Sequence, residues 1–204
     1  MGELNSPIFF NFKKMKKIAF VLLVLFCSAV TCAQDFQKRK ITVLPSSELT
    51  IIGDSNIAAF KCEFDNSYLE DSQNITYTQQ GSKIVFTGAV LTLNNKGFDC
   101  GSKGINRDFH DLLQTDKHPK ILLELTEVSM SSPTKAVAKV GITIAGKERF
   151  YELPVGIKNA VIAEFKGKLH LNIKDYGLEA PKKLFGMIVV KDEIDIEFNL
   201  QVKK

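Results

Sequence analysis

Apolar side chains return at every second position through most of this chain. The last segment shows it most plainly: Ile194, Ile196, Phe198, Leu200 and Val202 alternate with Glu193, Asp195, Glu197, Asn199, Gln201 and Lys203. Successive side chains of a β-strand point to opposite faces, so this run predicts a strand with one face in a core and one in water. Residues 165–173 repeat the pattern, with Phe165, Leu169, Leu171 and Ile173 on one face and Lys166, Lys168, His170 and Asn172 on the other. Ala138, Val140, Ile142 and Ile144 form a third such face. Residues 82–93 and 120–130 are rich in Val, Ile, Leu, Phe and Thr, which strands favour, and 56–64 and 74–78 predict shorter strands. Turn signals rich in Gly, Ser and Pro separate the runs at 53–56, 80–82, 131–133 and 145–147.

One segment has a different period. Ile105, Phe109, Leu112 and Leu113 fall at i, i+4, i+7 and i+8, one face of an amphipathic helix over 105–115. Asn106 is its expected N-cap, and Lys117-His118-Pro119 its stop, since proline disfavours a helical conformation in the residue before it. The expected fold is therefore all-β: an antiparallel barrel of about eight strands with one short α-helix. Strands of up to a dozen residues favour a tilted barrel over an immunoglobulin-type sandwich. An outer-membrane barrel would carry aromatic girdles, and this chain has no Trp and four Tyr. Glu124 and Glu127 also fall in opposite phases of one predicted strand.

The N-terminus stands outside this pattern. Lys13, Lys14, Lys16 and Lys17 precede an apolar run from Ile18 to Val30 and the small-residue exit Thr31-Cys32-Ala33. A basic stretch, a short apolar run and a small-residue exit describe a secretory signal peptide, here 1–33, with Met15 a plausible start. Thr31 is a poor residue before an acylated cysteine, so cleavage before Gln34 is expected over lipidation at Cys32. That leaves 34–204 as one exported domain, periplasmic or secreted, without a membrane-spanning helix. The leader takes four lysines and one glutamate with it, so the net charge falls from +4 to +1. Nothing then attracts a phosphate backbone, and nucleic-acid binding is excluded. Cys62 and Cys100 remain, and in an oxidising compartment an even pair invites a disulfide; the alternative is two separate buried thiols.

Catalytic chemistry has little support. His110, His118 and His170 show no metal-ligand spacing, and the acidic run Asp192, Glu193, Asp195 and Glu197 falls largely on one exposed strand face. No catalytic residue, metal or cofactor is expected.

Several motifs together resemble the YceI-like family. They are Phe98-Asp99-Cys100-Gly101, then Ile105-Asn106-Arg107-Asp108-Phe109 leading to His118-Pro119-Lys120-Ile121, then Gly141-Ile142-Thr143-Ile144-Ala145-Gly146 with Leu153-Pro154-Val155, and Asp175-Tyr176-Gly177-Leu178 with Pro181 and Gly186. The resemblance spans most of 47–203. It implies a lipocalin-like barrel, usually exported, some of whose members hold a polyisoprenoid chain in an apolar tunnel. The stretch Ile57-Ala58-Ala59-Phe60-Lys61-Cys62 departs from the family, many of whose members carry a histidine there.

The expected function is a non-enzymatic binding protein for a long apolar molecule: a polyisoprenoid, a prenyl-quinone or another lipid. Expected lining residues are Phe86, Ile142, Ile144, Leu169, Leu171, Ile196 and Phe198. The resemblance implies a continuous elongated cavity, and the small inward residues Ala136, Ala138 and Gly167 support it. The alternatives are a filled-barrel structural or interaction domain, and an enzyme acting on a lipid or quinone.

Overall fold

The computed structural model describes residues 36–69, 72–183 and 187–203. The expected signal peptide, with Cys32 and the cleavage position before Gln34, lies outside the described residues. The described strands are β1 (Gln37–Val43), β2 (Glu48–Gly53), β3 (Phe60–Phe64), β4 (Gln73–Gln80), β5 (Lys83–Asn94), β6 (Phe98–Asp99) and β7 (Lys120–Ser132). They continue as β8 (Lys135–Ile144), β9 (Lys147–Lys158), β10 (Ile162–Asn172), β11 (Lys182–Lys183), β12 (Ile188–Val189) and β13 (Glu193–Lys203). A single described helix, α1 (Lys103–Leu112), lies between β6 and β7.

Eight strands close a ring in the order β1-β4-β5-β7-β8-β9-β10-β13, with β13 pairing back onto β1. The expected all-β barrel is what the chain forms. Closure depends on how β13 divides one edge. Its first half, Asp195–Asn199, pairs with β2, and its end pairs with β1 at Thr42↔Lys203 and Val43↔Val202. The corner between β1 and β2 is fastened to that dividing point: Leu44 N donates to the Gln201 carbonyl at 2.8 Å, and the Gln201 N–H donates to Ser47 Oγ at 2.9 Å. From β2 the sheet continues outward through β3 to β6.

Bulges bend the ladder. Between Val85 and Ala89 β5 slips against β7, and Gly88 takes a φ of 67°, a left-handed conformation open to glycine at low cost. On β7 the extra residue is Thr126, whose hydroxyl donates to the Lys139 carbonyl at 3.0 Å. This bulge resets the alternation. Glu124 and Glu127, read from sequence as opposed in phase, both face outward, where Glu127 pairs with Lys83 at 2.7 Å and Lys139 at 3.5 Å. Ala145 and Gly146, at φ 48° and 77°, turn β8 into β9 as a two-residue hairpin loop.

Three local readings change. The strand expected over 56–64 begins at Phe60, because Ser55 ties 55–58 into a turn: Ile57 N and Ala58 N donate to its hydroxyl, which donates to the Ala58 carbonyl. The helix starts earlier than expected, capped by Ser102, whose Oγ accepts from Ile105 N. Asn106, the expected cap, instead sits in the first turns. Its Oδ1 accepts from Cys100 N at 2.6 Å and its Nδ2 donates to Asp99 at 3.0 Å, joining α1 to the strand before it. Ile105 is exposed, while Phe109 and Leu113 turn into the barrel.

The interior has two apolar clusters. The larger lies beneath α1 and gathers Ile51, Cys62, Leu93, Phe98, Phe109, Ile142, Leu171 and Tyr176. The smaller surrounds Ala138, Leu153 and Val155, with Leu125, Val128, Ile157, Phe165 and Phe198 against them. Val140 and Phe198 touch both.

Candidate functional site

The end of the barrel beneath α1 is assembled from elements far apart in sequence. The segment before the helix is a 3-10 turn at Asn95–Gly97. Asn95 is almost fully buried, and its amide donates to the His118 carbonyl at 2.8 Å and to Thr115 Oγ1 at 3.2 Å. Its backbone N–H donates to the Pro119 carbonyl, so one residue holds both ends of the helical excursion together. The expected Cys62–Cys100 disulfide forms, joining β3 to the residue after β6 and thus to the root of α1. Both cysteines are buried.

These restraints hold α1 over a cavity of about 80 Å³. Phe109 and Leu112 of α1, with Leu113 just after it, form its roof. One wall is Leu93, Ile121, Leu123, Ile142 and Ile144 from β5, β7 and β8. The opposite wall is Leu49, Ile51, Phe60 and Cys62 from β2 and β3, continued by Ile194 and Ile196 of β13. Ile173 and Leu178 close it from the turn after β10. This lining is hydrocarbon and sulfur throughout, with one exception. Lys191 is the only charged residue in the wall and the only exposed one. Its ammonium leaves the cavity and pairs with Asp54 Oδ2 at 2.6 Å. That hydrogen bond holds both groups charged: it lowers the Asp54 carboxyl below the ordinary range, with help from the Ser55 N–H, and raises Lys191. Around this pair the loop after β2 and the segment before β13 are stitched together, with Asn56 bonding Met187 and Val189 and Lys191 N bonding the Asp54 carbonyl.

The seven residues read from sequence as lining separate into three groups. Ile142, Ile144 and Ile196 stand in the cavity wall. Leu169 and Leu171 are buried in the same cluster without lining the cavity. Phe198 and Phe86 are elsewhere. Phe198 packs where the two clusters meet, and Phe86 lies beside Tyr77 on the β4–β5 pair, ring centroids 6.0 Å apart. Among the described residues the cavity beneath α1 does not reach Ala136, Ala138 or Gly167, where the expected tunnel would continue. A Cβ on Gly167 would lie 2.6 Å from the Phe198 ring, so the space this glycine leaves is already occupied. Ala138 is likewise covered, with Leu153 and Val155 in its cluster.

Of the histidines and acidic residues singled out from sequence, His110, His170, Asp195 and Glu197 pair with neighbours. His170 Nδ1 and Lys168 meet Asp195 at 2.9 and 3.0 Å on the outer face, and Lys168 also reaches Glu197. The acidic run is thus half of an ion-pair ladder. His110 Nε2 faces the Asn95 carbonyl at 3.2 Å. Tyr176 is buried, and that burial, followed by the neighbouring Tyr151 hydroxyl, pushes its phenol upward; neither hydroxyl makes a well-aligned hydrogen bond among the described residues. No group of His, Cys, Asp or Glu among the described residues is placed to hold a metal ion. No described helix is long and apolar enough to cross a membrane.

Comparison with known proteins places this architecture. The YceI-like domain matches residues 63–202. Among solved structures the chain is similar to Burkholderia cenocepacia BcnA, at 17% identity and a TM-score of 0.60 over 78% of this chain and 96% of that one. It is also similar to a polyisoprenoid binding domain from Saccharophagus degradans implicated in plant cell wall breakdown, at 12% identity and a TM-score of 0.59 over 80% and 97%. Comparison with curated protein sequences finds no match.

Proposed function

Since the chain belongs to the YceI-like family, we propose that it is an exported, non-enzymatic carrier that holds a long apolar molecule beneath α1. The single observation that carries this reading is the cavity wall. Nineteen residues line it, and all but Lys191 offer hydrocarbon or sulfur. A dry apolar void favours an apolar occupant over water, because a water needs two to four polar partners. The polyisoprenoid binding domain of Saccharophagus degradans supplies the ligand class. A polyisoprenoid or prenyl-quinone contributes roughly 0.8 kcal/mol per CH₂ buried, before ordering costs.

The cavity as it stands, at about 80 Å³, holds only part of such a chain. Pockets that enclose drug-sized ligands run to roughly 300–1,000 Å³. The proposed occupant therefore parts the roof or the Asp54–Lys191 side of the wall when it binds. The cover over Ala138 and Gly167 in the far half of the barrel gives a specific observation for the second reading, a filled structural domain.

Export and loading are tested together. Protein recovered from the periplasm or medium of its host is extracted with organic solvent, and the extract and intact chain are weighed by mass spectrometry. A lipid near one per chain, on a polypeptide beginning at Gln34, is the expected result. An empty extract favours the structural domain, and a diacylglyceryl group on Cys32 places the protein on a membrane. Ile142→Trp, which fills the cavity, should remove the lipid while the fold survives.

A further inference from the structure

Lys191 is the one place where the cavity wall meets both charge and solvent. It lines the cavity together with Val190, Ile194 and Phe60, while its ammonium is bonded to Asp54. A ligand seated in the cavity therefore presents its polar end, if it has one, at this pair. We infer that the Asp54–Lys191 pair is the selectivity element at the cavity mouth, and that it admits apolar chains ending in an uncharged group such as a hydroxyl or carbonyl while rejecting those ending in a carboxylate or phosphate. This inference rests on the reading of the cavity as a lipid site.

The argument is one of charge and donors. An ammonium has three N–H donors, and Asp54 takes one of them, so Lys191 still has a donor for a neutral oxygen without giving up its partner. An anionic end must instead share Lys191 with Asp54, and Glu193 lies near enough to act on Lys191 in the same sense as Asp54. Two carboxylates against one cation are a like-charge arrangement, and no other cation lines the wall to relieve it. Moving the anion inward is no escape, because the apolar wall leaves a buried charge unpaired. Both members of the pair are charged in the neutral range, since each holds the other's proton equilibrium displaced toward the charged form.

A matched pair of amphiphiles tests this: 1-decanol and decanoate, titrated calorimetrically at pH 7.5 into delipidated mature protein. The wild type should bind 1-decanol more tightly than decanoate. Asp54→Asn keeps the oxygen that accepts from Ser55 N at 2.9 Å, so the loop is retained while the charge is removed. That variant should shift the affinity ratio toward decanoate by roughly fivefold, the worth of one unit-charge contact in a solvated setting. A further Lys191→Met in the same variant should cancel the gain. Equal wild-type affinities, or a ratio unmoved by Asp54→Asn, overturn the selection and leave the lipid site standing. Absence of binding by both amphiphiles to the wild type overturns the lipid site, and the selection with it.

Discussion

The two halves of the barrel interior are made by the same strands and end up in different states. Beneath α1, β8 contributes Ile142 and Ile144 and β13 contributes Ile194 and Ile196, and these large side chains surround a void. Farther from α1, β8 contributes Ala136 and Ala138 and β10 contributes Gly167, and there the small positions are packed against larger neighbours. The cavity beneath α1 is therefore not lined by the small residues. A small side chain leaves room, but a neighbour takes it. The Phe198 ring lies over Gly167 across the β10–β13 pair, and Leu153 faces Ala138 across β8–β9. Near α1 the walls belong to elements that diverge: β2 and β3 leave the ring at β13, and the helix bridges the gap they open. Residue size along one strand does not set the volume; what stands across the barrel does.

The largest expected effect falls on the open half. The disulfide closes a loop with a sequence separation of 38 and holds the root of α1 against β3. Replacing both cysteines, Cys62→Ala with Cys100→Ala, should lower unfolding stability by about 4 kcal/mol in the chain-entropy account. Denaturant melts measure the loss. Hydrogen exchange should show it concentrated in α1, β3 and β6, with the β8–β9 hairpin changed least. Uniform loss of protection in both halves would mean that the disulfide secures the barrel as a whole.

A change of size in the packed half comes next. Ala138 is buried among Leu153, Val155 and Leu125 and does not line the cavity beneath α1. Ala138→Leu should cost about 2–3 kcal/mol by overpacking. A cost under 1 kcal/mol would show that this half yields as readily as the other, and the contrast between them would fail.

How much of this could be read from sequence follows the same division. Strands β8, β10 and β13 were legible because each has one face in hydrocarbon and one in water, and alternation records that directly, while β7 was legible from its content of residues that favour strands. β1 was not: Gln37, Lys38, Arg39 and Lys40 are four exposed polar residues in a row, and they form a strand because β4 pairs with them. The bulges were hidden as well, since an extra residue such as Thr126 looks like a phase error until its partner strand is known. The disulfide was legible from an even count and the expectation of export. At the site, Ile142, Ile144 and Ile196 could be picked from their strands, but the roof and mouth could not be placed. Phe60 and Lys191 flank loops, and nothing in their local sequence says that a cavity lies between them. The one available signal was Lys191 itself, a cation directly after the apolar run Met187-Ile188-Val189-Val190.

Gly167→Ala sharpens the packed half further. In an ordinary strand this exchange is favourable, because glycine loses more backbone freedom on folding. Here the new methyl group would meet Phe198 at 2.6 Å and Leu153 at 3.1 Å, and both are held in the interior clusters. The sign should reverse, with a loss of about 1–2 kcal/mol. Phe198→Leu in the same protein should recover part of it, since the contact that reverses the sign is to the ring. A stabilising Gly167→Ala would show that the ring moves aside freely, and that the packed half holds hidden room.

The smallest expected change in stability is the one that bears most on function. Ile142 is as buried as any residue of the packed half, at 2% exposed, yet it borders the void. Ile142→Phe adds about as much hydrocarbon as many overpacking substitutions, and those typically cost 1–3 kcal/mol where no space exists. Beside a cavity of about 80 Å³ the added ring has somewhere to go. The unfolding free energy should therefore move by less than about 1 kcal/mol, in either direction, because filling apolar space offsets the rotamer restriction. Lipid recovered per chain should fall in the same protein, since the ring occupies the volume where the proposed chain begins. The pair of measurements separates the two explanations of the void. A packing defect gains from being filled and loses nothing else. A binding cavity trades occupancy by a ligand for occupancy by a side chain, so stability holds while lipid is lost.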